Sequence, residues 1–121
     1  MRVLVDTSVW IDHLRRSDPK LVALLQNVQV VMHSAVVGEL ACGTIPNRRE
    51  LLSLWLALPR AVEVSSAEAL ALVEHRRLWG QGLGWTDVLL LGSALISQSR
   101  LWTRDRPLQL TARQLRIALI T

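Results

Sequence analysis

The stretch Arg2-Val3-Leu4-Val5-Asp6-Thr7-Ser8-Val9-Trp10-Ile11-Asp12 decides the fold class. Val3, Leu4 and Val5 form a continuous apolar run without polar alternation, the pattern of a strand buried on both faces. The run halts at Asp6. Thr7 and Ser8 then open a helical pattern through Val9, Trp10, Ile11 and Leu14. A doubly apolar strand passing straight into a helix is the first half of a β-α-β unit, so the expected class is α/β with a parallel sheet.

The alternation continues outward. A short helix follows Pro19, with Leu21, Val22, Leu24 and Leu25 on its apolar side, and Gln29–Met32 is again strand-like. Ser34 is the expected N-cap of a helix carrying Val36, Val37, Leu40 and Ala41. Asn47–Leu58 predicts a helix that Pro59 ends, and Val62–Val64 a short strand. Ser65 and Ser66, with Glu68 close behind, open a helix expected to reach Trp79. After the loop Gly80-Gln81-Gly82-Leu83-Gly84, Thr86 is the expected cap of a strongly apolar helix from Asp87 to Ser97. Arg100–Thr103 reads as a fourth strand and Leu115–Ile120 as a fifth. There is no internal repeat, and the 121 residues fit a single domain, 1–121.

Half of the chain is hydrophobic and 20% is charged, which excludes a disordered segment. The longest apolar runs, such as Leu54–Leu58 and Val88–Leu91, fall far short of the ~20 residues of a bilayer span. Asp6 sits where the apolar core of a secretory signal would run. The single cysteine, Cys42, can form no internal disulfide and is expected to be a buried, inert thiol. These features fit a cytoplasmic protein. Fourteen basic residues stand against ten acidic ones for a net charge of +4, and every basic residue except Lys20 is arginine. Arginine forks match phosphate geometry, which suits a polyanionic partner, although charge alone fits an ordinary basic surface equally well.

Open parallel sheets place their sites outside the carboxyl ends of the strands. Four acids fall at that edge: Asp6 ends the first strand, Glu39 lies in the second turn of the helix after strand two, Asp87 is in the first turn after the glycine loop, and Asp105 follows the fourth strand. Each has an ordinary use on its own. Asp87 suits the positive end of a helix, Asp105 suits a turn, and Glu39 suits a solvated helix face. Asp6 is harder to dismiss, because it interrupts an apolar run. Four carboxylates gathered at one rim repel one another unless a cation neutralises them. Oxygen-only ligands with no His or Cys point to Mg²⁺ or Mn²⁺. Such an ion activates water and stabilises charge on phosphate, so the chemistry indicated is phosphodiester hydrolysis. Arg104 and Arg106, flanking Asp105, are candidates to hold a phosphate, with simple solvation as the alternative.

The blocks Val5-Asp6-Thr7-Ser8-Val9-Trp10-Ile11-Asp12, Gly38-Glu39-Leu40-Ala41, Asp87-Val88-Leu89-Leu90 with Ala94, and Leu101-Trp102-Thr103-Arg104-Asp105 resemble the signature of PIN domains. More closely, they resemble the VapC-type ribonuclease toxins of bacterial toxin–antitoxin pairs. The resemblance covers nearly the whole chain, and its specificity lies in the order and spacing of the four blocks. It implies an α/β/α sandwich around a central parallel sheet of about five strands. It also implies a Mg²⁺- or Mn²⁺-dependent endoribonuclease acting on single-stranded or structured RNA, such as tRNA or rRNA, a homodimer, and a small VapB-type antitoxin. Asp6, Glu39, Asp87 and Asp105 match the family's catalytic acids, with Asp6, Asp87 and Asp105 the implied metal ligands, and Thr7 or Ser8 matches its supporting hydroxyl. Family members often carry Phe soon after the fourth acid, where this chain has Leu108, a change of packing outside the acids.

Rival functions fare less well. A phosphoacceptor signalling domain needs a late lysine, and the only lysine is Lys20. A phosphatase with an aspartate nucleophile needs a second acid two residues on, and position 8 is Ser. A non-catalytic RNA-binding or regulatory α/β module remains the alternative, but such a module has no use for four acids facing a polyanion. His13, His33 and His75 lack metal-binding spacing. Arg76 and Arg77, beside Trp79 and Trp85, are candidates for RNA contact, although tryptophan is expected mostly in the core. The helix Leu51–Leu58 is apolar all round, which marks Leu51, Leu54, Trp55 and Leu58 as candidate interface residues.

Overall fold

The computed structural model describes residues 1–120. The chain runs β1 (Val3–Val5), α1 (Thr7–Arg15), α2 (Pro19–Gln26), β2 (Val30–Val31), α3 (Ser34–Cys42), α4 (Arg48–Ala57), α5 (Ser66–Arg76), α6 (Trp85–Ser97), β3 (Arg100–Trp102) and α7 (Arg106–Gln114). β1 is the central strand of a parallel sheet in the order β2-β1-β3. Val3 pairs with Val30 and Arg100, and Leu4 with Val31 and Leu101. Val3, Leu4 and Val5 are wholly buried because helices flank both sides of the sheet. Each such side chain contributes about 1.5–3 kcal/mol on burial.

The sheet has three strands where about five were expected. The two outer segments touch it at single residues, Met32 pairing with Arg60 and Leu101 with Ala118, both parallel. At the first edge, pairing ends because α6 captures the next backbone: Ser97 Oγ accepts from Val62 N, and Ser93 donates to the Val62 carbonyl. The expected strand Val62–Val64 is therefore extended chain bound to helix side chains. At the other edge, Leu101 N donates to Ile117 O and Leu119 N to Leu101 O, so Leu115–Ile120 supplies one rung instead of a strand.

Helix starts also differ from expectation. His33, not Ser34, caps α3, its Nδ1 accepting from Ala35 N at 3.0 Å, while Ser34 is held by Glu63. Gly84, not Thr86, precedes α6, and α5 ends at Arg76. α7 was not foreseen, although Asp105 at its N-cap and Pro107 in its first turn are a recognised start signal. Cys42 is exposed, contrary to expectation. Trp10, Trp55 and Trp102 are buried, whereas Trp79 and Trp85 are exposed. Leu108 is fully buried. Among the described residues, no helix is long and apolar enough to cross a membrane.

α6 lies close against the extended segment, and a Cβ at Gly92 would stand 2.9 Å from Val64 Cγ2. Overpacking of this kind costs ~1–3 kcal/mol, against a gain of ~1 kcal/mol in helix propensity for Gly→Ala. Gly92→Ala is expected to destabilise the protein, and the loss should disappear when Val64→Ala is also present. Urea unfolding of the two single variants and the double variant measures the coupling.

Candidate active site

All three strands are parallel, so their carboxyl ends share one rim, and the chain order reverses across β1 with β2 on one side and β3 on the other. Asp6 leaves β1 at that reversal. Its backbone N–H donates to Trp102 O at 2.9 Å, and its side chain is buried. The Ser8 and Thr103 hydroxyls both donate to Asp6 Oδ2 at 2.7 Å. Those hydroxyls accept in turn, Ser8 from Arg104 N and Thr103 from Asp105 N, each at 3.0 Å. Asp6 is thereby tied to the turn that carries Asp105.

Asp105 caps α7, its Oδ2 accepting from Leu108 N at 3.2 Å. Glu39 lies on the exposed side of α3, and Thr7 Oγ1 donates to its Oε1 at 2.7 Å. Asp87 Oδ2 accepts from Gly84 N at 2.9 Å in a half-buried position. Burial is the largest influence raising the Asp87 carboxyl above its ordinary range. The Gly84 hydrogen bond lowers it, and the charges of Asp105, Asp6 and Glu39 raise it further. The three other acids thus all act on Asp87, although the four arise from well-separated segments. Among the described residues, no protein donor reaches Asp6 Oδ1 or Glu39 Oε2. Nor do three Asp, Glu, His or Cys side chains stand there as a ready-made cage for an ion.

Residues 3–114 match the family model described as PIN domain. The chain belongs to the PIN-domain family. It is similar to Ribonuclease VapC32 of Mycobacterium tuberculosis, from strains CDC 1551 / Oshkosh and ATCC 25618 / H37Rv. Each is 48% identical over 118 residues, covering 97% of this chain and 95% of the relative. The likeness therefore takes in the whole PIN domain, and within the family this chain is of the VapC type.

Other expected residues of this PIN domain are placed as follows. Thr7 and Ser8 both touch acids of the rim. Arg104 turns its guanidinium away to α1 and α2, with Nη1 on Asp12 at 2.8 Å and Nη2 on Asp18 at 2.6 Å. Arg106 is exposed at the first position of α7. Leu51, Leu54 and Leu58 line a groove of about 330 Å³ between α1, α2 and α4, together with Trp10, His13, Leu14 and Leu25. Trp55 belongs to the groove's floor: it is buried, edge-on to Trp10 at 5.9 Å, because α4 is apolar on an inner face and exposes Leu54 and Leu56 outside. Thr103 carried no expectation from sequence. Its signal was available, a hydroxyl ending a buried strand two residues before an acid.

Because Asp87 has a raised carboxyl pKa in the folded protein, the native state binds a proton more readily than the unfolded chain. Its stabilising contribution is complete below the ordinary value of 3.8 and is lost as pH rises through the elevated folded value. In metal-free protein at pH 7, Asp87→Asn is expected to raise the melting temperature, since Asn keeps an acceptor for Gly84 without the charge. The gain should shrink towards zero below pH 3.8, as thermal melts across the pH range would show.

Proposed function

We propose that this PIN domain is a divalent-metal-dependent endoribonuclease, the toxin of a toxin–antitoxin pair, and that Asp6, Glu39, Asp87 and Asp105 are its catalytic acids. The observation that carries this reading is that Ser8 and Thr103 tie Asp6 to the turn of Asp105 at the carboxyl-end rim, where the charges of Asp105, Asp6 and Glu39 all reach Asp87. Likeness to proteins named Ribonuclease VapC32 supports RNA as the substrate class.

The donor set fits Mg²⁺ or Mn²⁺: it is all oxygen, and the charges of Asp105, Asp6 and Glu39 add to burial in raising the Asp87 carboxyl, a repulsion that a cation would relieve. Asp6, Asp87 and Asp105 would hold the ion, which when bound supplies a more acidic water and charge stabilisation on phosphate. The chain's own residues do the rest. Ser8 and Thr103 fix the Asp6 carboxylate, leaving Oδ1 open to the rim, and Thr7 does the same for Glu39. Arg106, exposed in the first turn of α7 directly after Asp105, would orient an RNA phosphate. Arg104 serves as a brace, since its fork is taken by Asp12 and Asp18.

Chelation is expected to abolish cleavage reversibly. Asp6→Asn should lower turnover by orders of magnitude with a folded protein, whereas Glu74→Gln should leave it near the parent level. RNA cleavage at parent rate in excess chelator, or by Asp6→Asn, would overturn the assignment.

An unrestrained nuclease harms its own cell, so the reading includes a homodimeric cytoplasmic toxin silenced by a small VapB-type antitoxin laid along the Leu51–Leu58 groove. Expression alone should arrest growth, and co-expression with the antitoxin should restore it. Leu54→Glu, at an exposed position, should weaken that rescue while leaving the fold intact. Growth curves with and without the antitoxin read both effects.

A further inference from the structure

Thirteen arginines and ten carboxylates share this chain, yet among the described residues only Arg60 and Arg104 pair with acids. Three of the others converge. Arg100, Arg113 and Arg116 line one concavity of about 410 Å³, completed by Ala118 and Ile120, with no Asp or Glu in its wall. Arg100 Nη1 donates to the Arg116 carbonyl at 2.7 Å, so this guanidinium is held in place while its other N–H groups stay available. Cations gathered with no Asp or Glu beside them among the described residues repel one another, and a bound anion relieves that repulsion.

The concavity is connected to the acidic rim by α7. Asp105 caps the helix and Arg106 is its first residue. Arg113 lies seven residues later on the same face, ~10 Å along the axis at 1.5 Å per residue. Leu108, Thr111 and Ala112 occupy the buried face opposite. Guanidinium groups thus mark out a line from the quartet to the Arg100/Arg113/Arg116 concavity, at the amino end of β3.

We propose that this concavity is a second RNA-contact site, binding backbone phosphates of a strand that passes along α7 from the acidic rim. The proposal rests on the ribonuclease reading for the direction of the strand. A linear polyanion is favoured over an acidic protein surface because Arg106 and Arg113 share one face of the helix that begins at the candidate catalytic acid Asp105 and leads to Arg100 and Arg116 at its far end. Arg113 and Arg116 are positioning residues: they hold RNA away from the reacting phosphate.

The test measures binding of labelled single-stranded RNA to full-length protein in chelator, by fluorescence anisotropy over a range of salt. One RNA is long enough to span α7, and the other is a trinucleotide. Arg113→Gln/Arg116→Gln should weaken binding of the long RNA and lower the salt slope by about 1.4, at ~0.7 per phosphate contact on a single strand. Binding of the trinucleotide should not change. The charge-matched pair Arg16→Gln/Arg49→Gln, at exposed positions, should bind both RNAs like the parent. Thermal melts check folding, and Arg113→Gln alone, at an exposed helix position, repeats the test if the double variant is unstable.

Parent-like affinity and slope in the double variant would overturn the proposal, as would an equal loss in the control pair. Failure of the parent to bind RNA, or a loss confined to an acidic protein ligand, would overturn it too. The two readings separate cleanly. A parent that cleaves RNA with metal while the double variant binds normally removes the second site and keeps the nuclease. Length-dependent binding lost in the variant, with no cleavage by the parent, keeps the site and removes the nuclease.

Discussion

Asp6 is buried at the end of the central strand, with other carboxylates near enough for their charges to be felt at Asp87. Burial of an ion costs several kcal/mol unless hydrogen bonds or a counter-charge compensate, and like charges add to that cost. The parallel sheet imposes this arrangement. Once β2 and β3 flank β1 in the same direction, whatever follows each strand meets at one rim. Hydrophobic burial of β1 supplies the free energy, and the carboxylates inherit their positions from it. The unfavourable local charge follows from a favourable core.

Two kinds of contact keep that rim in order. Hydroxyl groups do the fine placement: Ser8 and Thr103 each donate to Asp6 and each accept a backbone N–H from the Arg104–Asp105 turn. One short hydrogen-bonded unit therefore links the end of β1 to the start of α7. Arg104 acts at larger scale, joining that turn to Asp12 on α1 and Asp18 at the head of α2. Partly exposed ion pairs contribute only ~0–1 kcal/mol each to stability, so their value here is geometric. Arg104 also lies over the Trp102 ring at 5.8 Å, which leaves its fork little freedom.

Charge of opposite sign is distributed differently. The charges of three rim acids reach the fourth, while among the described residues most arginines have no carboxylate partner. A polyanion meets attraction over much of the molecule and repulsion at the quartet. In the proposed nuclease, a cation held there would remove the repulsion, and metal loading and RNA approach would then support each other. α7 joins the two regions, with an acid at its cap and arginines along its exposed side.

By itself, the sequence determined the α/β class, the central strand Val3–Val5 and the approximate order of most helices, because long apolar periodicities are set by local spacing. It also picked out Asp6, since a carboxylate that cuts short a doubly apolar run is anomalous without any knowledge of neighbours. Strand number was not legible: whether Val62 pairs with a strand or is taken by Ser93 and Ser97 depends on the seating of α6, a contact 31 residues away in sequence for Ser93. The cap of α3 failed for a related reason, as Ser34 and His33 compete for one role and the distant Glu63 decides between them, whereas the local Ser65/Glu68 box that opens α5 held. Arg104 shows the same limit at the site. Its position beside Asp105 suggested phosphate, and only folding brought Asp12 and Asp18 within reach of its fork. Residue type and local spacing fix which groups are available, whereas the pairing of charges and hydroxyls is settled by long-range packing, because those interactions act over a few ångströms in space and carry no memory of distance along the chain.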